Sequence, residues 1–357
     1  MVKRNEYADC LKGVLMLSVV VSHAATAVNW HTFGHFAYIP YSMNAYNMPL
    51  FMTISGYYFY YSARKRTCSE LISNKLTHIL LPCIIWGTII GCLKSVFDVH
   101  VAEEGTGMFS PLWAIWFLWS LCISFCLCIV TLCVQRHSIP ISHALAAAIC
   151  VGLHFLPNDV LPRNNYNIAY MFPFFYAGYL VAMYKLLDFF SIRVLAIVFL
   201  LLLAMLPILS HGYLSDLSVW KTGTYIFGNL GWERHLAINV VRIILALLGS
   251  VLFSGVFWYV CKIMKAHRQC FSPALRRIKC IILAFGEYSL GIYAIQSIIV
   301  EIIFKRLVDI LWIPVNYVIV FQCVAFPLTC AVLAGLCLLS CRAISMIDPL
   351  RMALLGK

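Results

Sequence analysis

Three ionisable side chains, Asp9, Lys12 and His23, stand within one largely apolar stretch, YADCLKGVLMLSVVVSHAA. As a helix at 100° per residue, the step from Lys12 to His23 turns about 1100°, roughly 20° from the same face. Asp9 and Lys12 are i,i+3 neighbours, the spacing of a helical ion pair. All three fall on one stripe, with His23 about 16 Å along the axis from Lys12. A neutral imidazole suits general-base chemistry, because its pKa lies near neutrality and its two nitrogens are distinguishable. It would serve equally as a proton relay, or simply hydrogen-bond a neighbouring helix. For Lys12 the plain alternative is a flanking charge whose stem snorkels to the surface.

A second group follows in SARKRTCSELISNKLTH, residues 62–78. Arg64, Lys65 and Arg66 read most simply as charges that set membrane topology. Lys75 and His78 differ: spaced i,i+3, they share a helix face and together could hold phosphate groups, His78 when protonated. In PLFMTISG, Ser55 and Gly56 offer small side chains where a helix or a ligand could approach closely. Arg242 and Glu301 both lie near the external ends of their apolar stretches and could form a buried pair, while Glu287 and Gln296 could line a cavity. His31 and His35, four apart, have metal-ligand spacing, but a solvated loop is the plainer reading, and no metal is expected. Nucleotide-binding P-loop, HExxH and G-x-S-x-G signatures do not occur.

The elements that must position these residues are membrane helices. Of 357 residues 62% are hydrophobic and 11% charged, whereas soluble domains run at about 45–50% and 25%. The composition excludes both an ordinary soluble protein and a disordered chain. Apolar stretches long enough to span a bilayer are expected at about 11–30, 46–63, 78–98, 112–134, 141–156, 168–186, 192–210, 238–261, 281–303 and 315–341. The expected fold class is therefore an all-α polytopic membrane protein of about ten transmembrane helices. With the N-terminus inside, 19 of the 26 basic residues fall in cytoplasmic segments and five in external loops, which predicts N-in and C-in. The net charge of +12 is thus mainly orientation, not a nucleic-acid surface. Lys3 and Arg4 before an apolar run ending Ala25-Thr26-Ala27 imitate a signal peptide, but His23 and the following spans favour a retained first helix. Of the 16 cysteines, those in apolar segments read as packing residues, and none falls in an expected external loop. The longest stretch between spans, His211 to Ala237, could form an external cap. Residues 1–357 are expected to form a single transmembrane domain without a separate soluble one.

In order along the chain, these segments resemble the acyltransferase 3 family of integral membrane acyltransferases. YADCLKGVLMLSVVVSHA resembles its opening segment, a basic residue and a histidine separated by ten others, here Lys12 and His23. MPLFMTISGYYF resembles its second-span Ser-Gly motif at Ser55 and Gly56. NKLTHILLPCIIW resembles its basic-x-x-basic pair before a proline, at Lys75, His78 and Pro82. IWFLWSL, FPFFYAGYL and GEYSLGIYAIQS resemble later, looser segments. Lys12 and His78 stand where arginine is usual, which removes bidentate phosphate recognition. Gln296 stands where histidine is common and is given no proton-transfer role.

The resemblance implies an enzyme, an O-acetyltransferase of the bacterial cytoplasmic (inner) membrane. It would take an acyl group from acetyl-CoA or another acyl-CoA and pass it to a saccharide, with membrane lipid around it. Under that reading His23 is the general base, or alternatively a covalent acyl carrier, and Asp9 orients Lys12. Lys12, Lys75 and His78 would hold the donor's phosphates. A homo-oligomer is compatible with such a chain. An ion-coupled secondary transporter is the competing class, though the repeated halves usual in transporters are not evident.

Overall fold

The computed structural model describes residues 6–28, 38–97, 115–154, 165–189, 191–209, 232–266, 272–311 and 321–357, and no strand occurs among them. Hydrocarbon cannot hydrogen-bond a peptide group, so runs this apolar satisfy their backbone as helices. The helices are α1 Glu6–Ala27, α2 Tyr38–Ala63, α3 Cys68–Lys75, α4 Leu81–Val96, α5 Trp116–Gln135, α6 Ile139–Gly152 and α7 Asn165–Met183. After them come α8 Ile192–Leu209, α9 Trp232–Ala266, α10 Pro273–Glu287, α11 Ser289–Gln296, α12 Lys305–Leu311, α13 Phe326–Ser345 and α14 Asp348–Leu355. π-Helical segments lie at Leu76–Leu80, Ser297–Phe304 and Phe321–Ala325.

Over its described residues, each apolar stretch of the sequence falls on a helical segment. Among the described residues, five helical runs are long and apolar enough to cross a membrane: Glu6–Ala27, Cys68–Val96, Trp116–Gln135, Ala237–Lys265 and Cys323–Ser345. The expected straight span over 281–303 is instead broken. Pro273–Glu287 and Ser289–Val308 meet at 78° and would make a sixth if counted as one bent span. The bend falls at Tyr288, whose φ of −97° and ψ of 16° leave the α region for the bridge region. The external stretch expected from His211 lies outside the described residues as far as 231, and its end, from Trp232, is already helix α9. His31 and His35 also lie outside the described residues.

The chain forms two compact units. One contains residues up to Met43, Leu81–Ile115 and Cys261–Lys357; the other contains Asn44–Leu80 and Trp116–Val260. In the first, α1 packs against α10, α11, α13 and the π-helical segment Ser297–Phe304. The approach to α10 is reciprocal: a Cβ on Gly13 would lie 2.0 Å from the Ile282 carbonyl oxygen, and one on Gly286 1.8 Å from that of Asp9. One glycine on each helix, Gly13 and Gly286, lets the backbones touch. In the same unit Trp86 Nε1 donates to the Leu354 carbonyl at 2.7 Å, tying α4 to α14.

The second unit contains a matching crossing. A Cβ on Gly56 would sit 1.8 Å from the Phe175 carbonyl oxygen, and one on Gly178 1.9 Å from that of Thr53, so α2 and α7 are in backbone contact. Phe59, Phe125 and Phe175 cluster beside it with ring centroids 4.8–5.7 Å apart, each such pair contributing about 0.5–1.5 kcal/mol beyond its buried area. Gly56 is thus a helix-packing residue. Alanine's better helix propensity is worth only about 1 kcal/mol, and the clash outweighs it. Gly56→Ala should therefore lower stability by about 1–3 kcal/mol, read as an earlier thermal unfolding transition in detergent. Ser55→Ala serves as the control, because Ser55 Oγ only donates to the Phe51 carbonyl of its own helix, at 2.9 Å. Unchanged unfolding of Gly56→Ala with lost activity would return Gly56 to the list of substrate contacts.

Candidate functional site

Helix α1 carries the first group. The Lys12 ammonium lies 2.9 Å from the Asp9 carboxylate, the i,i+3 pair expected from spacing, with Asp9 buried and Lys12 partly exposed. The close α1–α10 crossing fixes the backbone of Asp9 against Gly286, so this pair is held at a defined point on the first unit. A turn earlier, Glu6 pairs with Lys279 of α10.

Further along the stripe, His23 Nδ1 lies 2.9 Å from the Glu301 carboxylate. An ionised carboxylate only accepts hydrogen bonds, so Nδ1 carries a proton, and in the neutral imidazole Nε2 keeps the lone pair. That is the tautomer a general base requires. Glu301 sits in the π-helical segment Ser297–Phe304, a local widening of the helix that occurs frequently at functional sites. Its carboxylate also accepts from Ser297 Oγ at 3.4 Å, and Ser297 in turn accepts from Gln296 Nε2 at 3.2 Å. Gln296 and Ser297 are buried, so the carboxylate is oriented from behind by a short polar chain. The buried Lys94 of α4 acts electrostatically on Glu301. His23 itself keeps 34% of its side chain accessible, enough for a reactant to reach the imidazole.

Glu301 was read from the sequence as a partner of Arg242. The structure gives it His23 instead, while the buried Arg242 guanidinium lies over the Tyr170 ring, 5.5 Å from its centroid. Glu287, read with Gln296 as able to line a cavity, pairs through its carboxylate with Lys357 at 3.4 Å.

The second unit holds Lys75 and His78, which belong to different environments. Lys75 Nζ lies 4.2 Å from the centroid of Phe125 on α5, a cation–π contact. His78 instead lines a groove of about 630 Å³ with Lys65, Arg66, Ser69, Glu70, Ser73, Asn74 and Thr77. The shared face expected from the i,i+3 spacing assumes one regular helix, whereas α3 gives way at Leu76 to a wider π turn that carries His78. The groove's chemistry suits an anion: two permanent cations, His78, three hydroxyls and an amide. Its one carboxylate is already committed. Glu70 accepts from the Thr67 backbone N–H at 2.8 Å, while Thr67 Oγ1 accepts from the Glu70 N–H at 3.3 Å, a capping box that starts α3. Lys65 and Arg66, read from the sequence as topology alone, therefore line a built concavity. No group of three or more His, Cys, Asp or Glu side chains placed to hold a metal ion occurs among the described residues.

Comparison with known proteins bears on the same segments. The family model described as "Acyltransferase domain" matches residues 5–340. The chain is 29% identical over 180 residues to Nodulation protein NolL of Mesorhizobium japonicum, covering 49% of this chain and 47% of that one. To Nodulation protein NolL of Sinorhizobium fredii it is 24% identical over 295 residues, 81% and 76% of the two chains. It thus spans about half the length of the first relative and about three quarters of the second. No solved structure matches. Its apolar helices are those of a multi-pass membrane protein, and with the family model matched over nearly its whole length the chain belongs to the acyltransferase 3 family of membrane acyltransferases.

Proposed function

We propose that the protein is an O-acyltransferase that moves an acyl group, in the first instance acetyl, from cytoplasmic acyl-CoA to a hydroxyl of a cell-surface or lipid-linked saccharide. In this reading the chain acts as one catalytic domain of a bacterial inner membrane, threaded ten times with both termini inside. The interleaving of its two units along the sequence supports treating them as one domain.

The observation that carries the reading is the 2.9 Å contact of His23 with Glu301, a base held in its working tautomer. His23 Nε2 takes the proton of the acceptor hydroxyl as that oxygen adds to the acyl carbonyl. Glu301 stabilises the imidazolium that forms. When the carbon–sulfur bond breaks, the imidazolium returns the proton to the departing thiolate, leaving ester and thiol. The acyl donor carries its phosphates and its thioester at opposite ends of a flexible arm, so binding and chemistry fall to separate residues. Lys65, Arg66 and His78 in the groove suit the phosphate end, and Lys75 of α3 is assigned to it as well. Lys12, oriented by Asp9, is assigned a second phosphate contact.

Purified protein in proteoliposomes, given isotope-labelled acetyl-CoA and a bacterial surface-glycan extract, should transfer label to saccharide. Label uptake without esterified product would overturn the assignment in favour of transport. In the same assay Lys65→Ser/Arg66→Ser should raise KM for acetyl-CoA about tenfold, equivalent to about 1.4 kcal/mol, with kcat unchanged. Removing contacts made equally in ground and transition states has that signature. The effect is modest because the groove is open to water and its charges are screened.

A further inference from the structure

Cys68 is the first residue of α3, directly after its cap Thr67, and Cys133 lies in the last turn of α5. Their Sγ atoms are 3.5 Å apart. We infer that these two thiols form an oxidisable pair, a reversible modification site that ties α3 to α5. Several of the described cysteines, Cys10, Cys83, Cys128 and Cys337 among them, are buried, out of an oxidant's reach. Cys133 is exposed and Cys68 partly so, and the exposed Arg136 and His137 just beyond Cys133 mark this as a polar end of the helix. Bringing the sulfurs to the bonded separation of about 2.05 Å requires only a small closure.

The chemistry balances with a peroxide as oxidant. One thiolate attacks a peroxide oxygen, the O–O bond breaks, and the sulfur becomes a sulfenic acid while one water leaves. The second thiol attacks that sulfur, the S–S bond forms, and a second water leaves. The protein loses two electrons and the peroxide gains them. A dithiol reductant reverses the bond by exchange.

The consequence depends on which elements are joined. A bond between Cys122 and Cys126, one turn apart on α5, would tie α5 only to itself. The Cys68–Cys133 bond joins two helices that also meet at Lys75 and Phe125, at the other end of α3. Oxidation would therefore fix α3 at both ends, and α3 supplies Ser69, Ser73 and Asn74 to the groove. Pinning that wall should alter how the groove accepts phosphate. This last step rests on the donor-binding reading above, whereas the dithiol itself does not.

The test treats the full chain in membranes with hydrogen peroxide, blocks remaining thiols with a maleimide, and maps peptides by mass spectrometry. The expected product is a Cys68–Cys133 linked peptide pair that is lost on reduction and absent from Cys68→Ser and Cys133→Ser. Full maleimide labelling of both cysteines after peroxide, or their separate conversion to sulfinic acids, would overturn the proposal. In the same preparation the oxidised protein should show at least a threefold change in KM for acetyl-CoA, reversed by reductant and absent from Cys133→Ser. A linked pair with unmoved KM would retain the dithiol and overturn the groove's role in donor binding.

Discussion

Replacing His23 with alanine should lower acyl transfer by about 10²–10⁴-fold, the usual contribution of a positioned general base. The reason lies in the tautomer. Nδ1 is committed to Glu301 at 2.9 Å, so in the neutral imidazole Nε2 holds the lone pair, and a third of the side chain remains accessible. Alanine removes both nitrogens yet leaves the α1–α10 crossing intact, because that contact is made by Gly13 and the Asp9 backbone, more than two turns away. The variant should therefore insert and purify normally, with the loss appearing in turnover of labelled acetyl-CoA in proteoliposomes. Wild-type turnover by a well-inserted His23→Ala protein would sink the catalytic assignment. The same preparation separates the two routes open to His23. A general base leaves no covalent mark on the enzyme, whereas an acyl-carrying histidine gives wild-type protein quenched in mid-turnover an acetyl group on the peptide containing His23.

What the sequence disclosed and what it hid divide along a physical line. Helices were legible because apolar runs of this length have one way to satisfy their backbone in lipid. The Asp9–Lys12 pair was legible because its partners belong to one helix and i,i+3 spacing needs no tertiary information. Glu301 was visible as a costly intramembrane charge, but its partner was not. Sequence puts both Arg242 and His23 within plausible depth of it, and only the packing of α1 against the Ser297–Phe304 segment chooses His23. The separation of Lys75 from His78 was hidden for a different reason. Spacing arguments assume a regular α-helix, and the π turn at Leu76–Leu80 breaks that assumption between the two residues. The 78° bend at Tyr288 has no proline to announce it. Gly56 was recognisable as a small residue in a motif, yet whether the space admitted a ligand or a helix could be read only from the Phe175 carbonyl that fills it.

Glu301→Gln should lower kcat by about 10²-fold or more while leaving KM for acetyl-CoA unchanged. Glutamine preserves the size of the side chain and can still accept from Ser297 Oγ, the contact made at 3.4 Å in the native protein. What it lacks is the charge and the certainty of being an acceptor. An amide can turn its NH₂ toward Nδ1, which forces the imidazole proton onto Nε2 and abolishes the base; turned the other way, it offers no charge to stabilise the imidazolium. Either orientation acts only when the proton moves, so the loss belongs to the transition state and appears in kcat. Glu301 touches the imidazole rather than the reactants and is therefore a positioning residue, whose effect must pass through His23. The double variant His23→Ala/Glu301→Gln should consequently be no slower than His23→Ala alone, because groups that work as a unit are strongly non-additive. Multiplying losses, or a Glu301→Gln enzyme with wild-type kcat, would make the contact a structural one. Glu301→Asp supplies the remaining constraint: it keeps the charge but shortens the reach, so it should recover part of the lost kcat if charge on Nδ1 is what matters. A Glu301→Asp kcat no higher than that of Glu301→Gln would show that charge without the native reach to Nδ1 recovers nothing.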